Sequence, residues 1–193
     1  MAVPTIRSVN ILLKNNLNAK RGLQRFLTEK IKNMDIVIKN ATIDDLKRVQ
    51  ELNLLLFEKE HREYDSSLNL NWTFGKAGTK YYKHKISKDD GCFLIAITDN
   101  KIVGYLCGGL TKAESCRNLP IIAELENTFV LDEFRSKGIG KKLYNEFIDW
   151  CKTKNVGKVR VEAWAQNEFA IKFYRNNNFK DYALILESDL KNS

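Results

Sequence analysis

One junction limits what this chain can fold into. Residues Ile121 to Val130 form an apolar, strand-like run, and a short polar loop follows it. Ile139, Leu143, Phe147 and Cys151 then recur every four residues, the spacing of one helix face. Between strand and helix stands Arg135-Ser136-Lys137-Gly138-Ile139-Gly140-Lys141-Lys142. A glycine lets the backbone approach a ligand closely and take unusual dihedrals. The first turn of a helix carries unpaired N–H groups at its partly positive end. Arg135, Lys137, Lys141 and Lys142 add cationic side chains there. The junction therefore reads as a socket for a phosphate or pyrophosphate.

The pattern Arg135-x-x-Gly138-x-Gly140 after a strand ending at Val130 resembles the acetyl-CoA loop of the GNAT superfamily of N-acetyltransferases. A second stretch, Asn167-Glu168-Phe169-Ala170-Ile171-Lys172-Phe173-Tyr174 followed by Asn178-Phe179, is similar to that family's Asn-x-x-Ala-x-x-Phe-Tyr…Gly-Phe signature. Ile102-Val103-Gly104 also resembles the family, where a strand here begins with a Val-Gly pair. The resemblance covers about Asp35 to Leu190. It departs mildly at Ser136 and Asn178, both standing where the family often has Gly. Asn tolerates the left-handed backbone of a helix C-terminus.

The resemblance implies acetyl-CoA as cosubstrate. Its pyrophosphate would lie on the amides of Arg135, Ser136, Lys137, Gly138, Ile139, Gly140 and Lys141. The amides of Phe129 and Val130 would receive the thioester oxygen, and Asn167, Ala170 and Phe173 would line the pantetheine arm. Tyr174 would protonate the departing thiolate. An ordinary phenol titrates near 10 and a thiol near 8.5, so the donation is reasonable within a hydrogen bond. The alternative is that Tyr174 is a half-buried aromatic anchor.

Transfer also needs a neutral amine and a stabilised oxyanion. Glu124, Glu126 and Thr128 alternate along the central strand and would share one face. Either carboxylate could attract a cationic amine and take its proton. Glu124 matches the place where some lysine acetyltransferases of the family carry a catalytic Glu; Glu126 sits closer to the cofactor end. Both acids could also be ordinary surface residues.

Around this junction the 193 residues suit one domain of ordinary globular composition, 29% charged and 44% hydrophobic. Ile36–Ile38 reads as a strand. Thr42 caps a helix through Leu46, Val49, Leu52, Leu56 and Phe57. His61 to Thr79 reads as a long loop or helix-and-loop region, and Lys80–Ile86 as a helix. Cys92–Thr98 and Lys101–Leu110 form a hairpin about Asp99-Asn100, with a bulge signal at Gly108-Gly109. Thr111 to Leu119 is a polar linker. Gly157–Trp164 is a strand, Glu168–Arg175 a helix capped by Asn167, and Phe179–Leu186 a final strand. This is an α/β chain with a mixed sheet flanked by helices; the GNAT resemblance makes that sheet mostly antiparallel and twisted, in a single domain over 34–193. Gly75-Lys-Ala-Gly78-Thr-Lys80 lacks the strand and Gly-Lys-Ser/Thr ending of a phosphate loop.

The net charge of +8 suggests nucleic acid, but its distribution does not. Residues 1–33 hold seven Lys/Arg and one Glu, net +6, which leaves +2 for residues 34–193. That balance predicts no nucleic-acid groove in the domain. The basic leader could be a helix, a transit peptide or an extension upstream of a start at Met34. No apolar run suits a membrane span. Cys92, Cys107, Cys116 and Cys151 lack Cys-x-x-Cys spacing and, with His61 and His84, build no metal site; they suit a reducing, cytoplasmic setting.

The expected activity is acetyl transfer from acetyl-CoA to a primary amine, by direct attack in a ternary complex, in a monomer or homodimer. Glu58, Glu60, Glu63, Asp65, Glu114 and the Glu124/Glu126 pair favour a small cationic amine. Trp72, Phe74, Tyr81 and Tyr82 could line its pocket or merely pack. A protein N-terminus or lysine is the second choice. A non-catalytic acyl-CoA-binding or partner-binding module is the rival of another class.

Overall fold

The computed structural model describes residues 35–190 except 114, 115, 117, 119, 120 and 189. The leader, Met34, Glu114 and Leu119 lie outside the described residues. Five strands run in chain order across one sheet: β1 (Val37–Asn40), β2 (Gly91–Thr98), β3 (Lys101–Thr111), β4 (Ile122–Val130) and β5 (Lys158–Val161). All neighbours are antiparallel except β4 and β5, which are parallel. Four helices flank it: α1 (Leu46–Glu63), α2 (Lys76–Ser87), α3 (Ile139–Thr153) and α4 (Glu168–Arg175).

Side-chain alternation on the strands feeds two cores. Leu94, Ala96, Val103, Leu106, Ala123 and Leu125 meet Ile139, Leu143, Phe147 and Cys151 of α3. Phe93, Ile95, Tyr105, Cys107 and Phe129 face the other way, onto Val49 and Leu52 of α1 and Tyr82 of α2. The four-residue repeat of the sequence is thus the buried stripe of α3. Truncating Phe147, which is fully buried, would cost about 3–5 kcal/mol.

Local chemistry sets the boundaries. Asp99 and Asn100 both take left-handed backbone, which a two-residue hairpin turn requires. Asp45 accepts from the Thr42 N–H and hydroxyl, both at 2.9 Å, and closes the start of the first helical stretch. That stretch, a 3₁₀ turn over Ile43–Asp45 and then α1, runs past Phe57 to Glu63, into the region from His61 read as a loop or helix-and-loop. Lys59 and Glu63 pair one turn apart near its end, 3.7 Å between charged atoms.

Three sequence expectations need correction. The helix expected at Lys80–Ile86 begins at Lys76. Gly78 lies inside it because a Cβ there would sit 2.3 Å from the Trp72 carbonyl oxygen; the glycine serves packing, not a break. The strand expected over 157–164 pairs only over Lys158–Val161. The final strand expected at Phe179–Leu186 does not form. Phe179 packs on Tyr144 and Tyr174, and Arg175 grips Asp181 through two hydrogen bonds of 3.0 and 2.6 Å. These contacts tie the start of the segment to α3 and α4; further on Tyr182 meets Lys158 of β5 only through its ring, without strand pairing. Leu184, Ile185 and Leu186 are left exposed.

Candidate active site

A bulge in the central strand organises the site. Leu125 pairs with Gly108 and Asn127 with Cys107, so Glu126 is the extra residue on β4. Gly108 is required opposite it: a Cβ there would stand 2.4 Å from the Glu124 carbonyl oxygen. The bulge resets the alternation. Before it, Ala123 and Leu125 face α3; after it, Phe129 faces α1 and α2, and Val130 faces α3. Thr128 pairs with Leu106 and so joins the α3 side. The expectation that Thr128 shares a face with Glu124 and Glu126 is therefore corrected.

The β4–β5 ladder stops at the same level. Its last pair is Leu125 with Val161; from Asn127 to Val130 no β5 residue pairs with β4. A gap opens there between the strands. Tyr174, partly buried on α4, packs on the α3 side of the sheet and acts with Thr128. Burial pushes the Tyr174 phenol up to about 12, Thr128 works against that, and the Glu60 carboxylate reinforces it.

The two candidate acids are not equivalent. Tyr81 donates to one carboxylate oxygen of Glu126 and Lys85 to the other. Tyr81 also lies 3.5 Å from the Cys107 sulfur, and Lys85 is 13% exposed. Both oxygens of Glu126 are thus engaged. Glu124 sits opposite Arg160 in register. Burial raises its pKa first; Glu126 and Glu162 raise it further, while Arg160 and Lys85 oppose them.

The loop after β4 is built around two left-handed residues, Ser136 and Gly138. Gly138 (φ 78°) is the N-cap of α3. The first helical bond runs from Lys142 N–H to the Gly138 oxygen, 3.0 Å, so the amides of Ile139, Gly140 and Lys141 precede the helical ladder. A Cβ on Gly138 would meet nothing within 4 Å: the cradle is open. Arg135 braces the loop, donating to the Val130 carbonyl at 2.9 Å, pairing with Asp132 at 2.7 Å and lying over the Phe129 ring. Lys137 donates to the Glu133 carbonyl at 2.5 Å, and Lys141 to Asn177. An open cradle, leading amides and nearby cations fit a pyrophosphate.

The second motif lies beside it. Asn167 Oδ1 accepts from the Ala170 N–H at 3.1 Å and caps α4. A Cβ on Gly140 would be 3.8 Å from the Phe173 ring, so the start of α3 meets the last turn of α4. Asn178 takes φ 66°, the left-handed form expected of it. Glu60, one of the acids expected around the acceptor pocket, lies on the last turn of α1; burial raises its pKa, and its charge raises that of Tyr174.

Among the described residues no group of His, Cys, Asp and Glu could hold a metal ion, and no helix is long and apolar enough to cross a membrane. Cys92, Cys107 and Cys151 are buried and Cys116 exposed, all four free; burial raises the three inner thiols.

The chain is similar to an uncharacterized N-acetyltransferase of Methanocaldococcus jannaschii, 29% identical over 153 residues; the match takes 77% of this chain and 62% of that protein. It therefore spans less than two thirds of that relative's length. It is 25% identical over 159 residues to a protein named N-alpha-acetyltransferase from Saccharolobus solfataricus, covering 80% of this chain and 86% of that one. Its fold matches an aminoglycoside N-acetyltransferase, AAC(6')-Iy, solved in complex with CoA: TM-score 0.66, 16% identity, 82% of this chain and 97% of that one. The sequence profile of the Acetyltransferase (GNAT) family matches residues 46–179, from the start of α1 to Phe179, and so takes in the loop, the bulged strand and the second motif. The chain belongs to the GNAT family of acetyltransferases.

Proposed function

We propose that the chain transfers the acetyl group of acetyl-CoA to the primary amine of a small cationic acceptor, by direct attack within a ternary complex. One observation carries this reading: the open Gly138 cradle stands at the end of β4, whose ladder to β5 has opened beside Tyr174. The amides of Ser136 to Lys141 would hold the pyrophosphate, with Asn167, Ala170 and Phe173 along the arm. Phe129 and Val130 would offer backbone N–H to the thioester oxygen.

Glu124 takes the proton that the acceptor ammonium must lose. The freed amine forms the new C–N bond as the C–S bond breaks, and Tyr174 gives its proton to the leaving thiolate. A phenol raised to about 12 is fully protonated at neutral pH. It is a weaker acid than a free phenol, but the same dry gap raises the thiol's pKa too, so the mismatch narrows. Glu126 is assigned to holding α2 on β4. The free thiols fit a reducing, cytoplasmic setting.

A second reading, acetylation of protein N-termini, is favoured by the name of the Saccharolobus relative. Thiol release from acetyl-CoA, followed with a polyamine, an aminoglycoside and short unblocked peptides, tests both. Turnover with the small amines supports the first reading. Turnover with peptides alone moves the assignment to the second. No turnover with any, despite acetyl-CoA binding, leaves a non-catalytic acyl-CoA module.

A further inference from the structure

One row of residues crosses the sheet in register. Gly91 of β2 pairs with Gly109 of β3, Gly109 with Glu124 of β4, and Glu124 with Arg160 of β5. Directly paired residues share a face of the sheet. Gly109 lies two positions from Cys107, so the row faces α1 and α2. The two glycines leave a trough at one end of it, and Lys85 of α2 fills that trough. A Cβ on Gly91 would stand 2.6 Å from the Lys85 Cα and carbonyl oxygen. A Cβ on Gly109 would stand 2.7 Å from the Lys85 Nζ, and as close to the Asp90 carbonyl oxygen. The backbone of Lys85 thus rests on β2 and its ammonium on β3, where a side chain of residue 109 would lie.

The ammonium is fixed there by its neighbours. It donates to Glu126 and stands over the Tyr81 ring, 5.6 Å from the centroid. Its seat on Gly109 sets it beside the next residue of the row, Glu124, which has Arg160 on its other side. The carboxylate of Glu124 is therefore flanked by a cation from α2 and a cation from β5. Against them stand burial, then Glu126 and Glu162, all favouring the neutral acid. We propose that Lys85 is a positioning residue for acetyl transfer: seated on Gly91 and Gly109, its ammonium neutralises Glu126 and keeps Glu124 ionised to receive the acceptor's proton. This rests on the reading in which Glu124 is the base. Lys85 itself gives up no proton. Without its charge, Glu124 would hold its own proton to higher pH, so the rate at neutral pH would fall while the rate at high pH is kept.

The test titrates the full chain by NMR, with glutamate side-chain carboxyls labelled with ¹³C. The Glu124 resonance is identified by its loss in Glu124→Gln. Lys85→Gln keeps an N–H donor toward Glu126 and removes the charge, so the fold should be retained. It should raise the Glu124 midpoint by about one pH unit or more, the effect of one close charge. Lys85→Met with Glu126→Leu removes a cation and an anion together and should bring the midpoint back toward the wild-type value. With whichever amine or peptide is acetylated, the acid limb of the rate should move with the midpoint in each variant. A structural lysine would cost stability and leave both the midpoint and the limb in place. An unmoved midpoint in Lys85→Gln, with Glu124→Gln inactive, therefore overturns the role of Lys85 alone. Full turnover in Glu124→Gln, or no turnover of any acceptor by wild type, fails the acetyl-transfer reading and this assignment with it.

Discussion

Lys85 of α2 holds one carboxylate oxygen of Glu126 on β4, and Tyr81 of the same helix holds the other. Two acids that look alike along the strand are thereby separated: Glu126 has both oxygens bound to α2, while Glu124 sits opposite Arg160 in register. Removing one partner of a buried pair leaves a charge uncompensated, at a cost of about 3–5 kcal/mol. Because Glu126 keeps some solvent contact, Lys85→Met should cost on the order of 2–3 kcal/mol. Lys85→Met with Glu126→Leu should recover most of it. Urea denaturation of the three proteins checks this; equal loss in single and double variants would refute the pairing.

Glu124→Gln should lower kcat by about 100-fold or more, the usual range for a general base. The Glu124 carboxyl titrates above its ordinary range, and the base works only when ionised. The wild-type rate should therefore rise with pH through that raised value, and the Gln variant should lose that limb. Stability runs the opposite way. An acid whose folded pKa is raised favours the fold below its unfolded pKa and loses that contribution as pH climbs through the folded one. Glu124→Gln should accordingly raise Tm near pH 7 relative to wild type, and the gain should shrink toward pH 4. Melting curves at the two pH values measure it.

The outline of the fold was legible because its signals are local. Asp99-Asn100 could only be a tight turn, Asn167 had to cap α4, and Ile139, Leu143, Phe147 and Cys151 could only be one helix face. Gly108 was readable as a bulge because a strand glycine marks close approach. What could not be read depended on distant partners. The extra residue at Glu126 turns Thr128 to the other side of the sheet, and nothing in the alternation betrays it. Lys85 and Tyr81 lie about forty residues before the acid they bind. The apolar run 182–186 has strand propensity, but Phe179 and Asp181 commit the chain to α3 and α4 first. That α1 reaches Glu63 was not legible, because the helix outlasts its apolar stripe.

Tyr174→Phe should reduce turnover by about 100-fold and leave acetyl-CoA affinity unchanged, since the ring packing against Phe173 and Phe179 is kept. A Phe variant with full turnover would reduce Tyr174 to a packing residue. Paired calorimetric and steady-state measurements separate the two.

At Gly138 two substitutions should differ in kind. Gly138→Ala meets no atom but forces a Cβ onto left-handed backbone, at about 1–2 kcal/mol. Gly138→Glu adds the same strain and places an anion in the cradle. Acetyl-CoA affinity should fall modestly in the first and be lost in the second.

The central claim is that the loop from Arg135 to Lys141 holds acetyl-CoA, and a thermal-shift titration of the full chain tests it most directly. Acetyl-CoA at about 100 times its Kd should stabilise by about 2.7 kcal/mol, a rise of roughly 5–10 °C for a domain of this size. The account predicts a saturable rise of that order in wild type and none in Gly138→Glu. No rise in wild type, or an equal rise in Gly138→Glu, would contradict it.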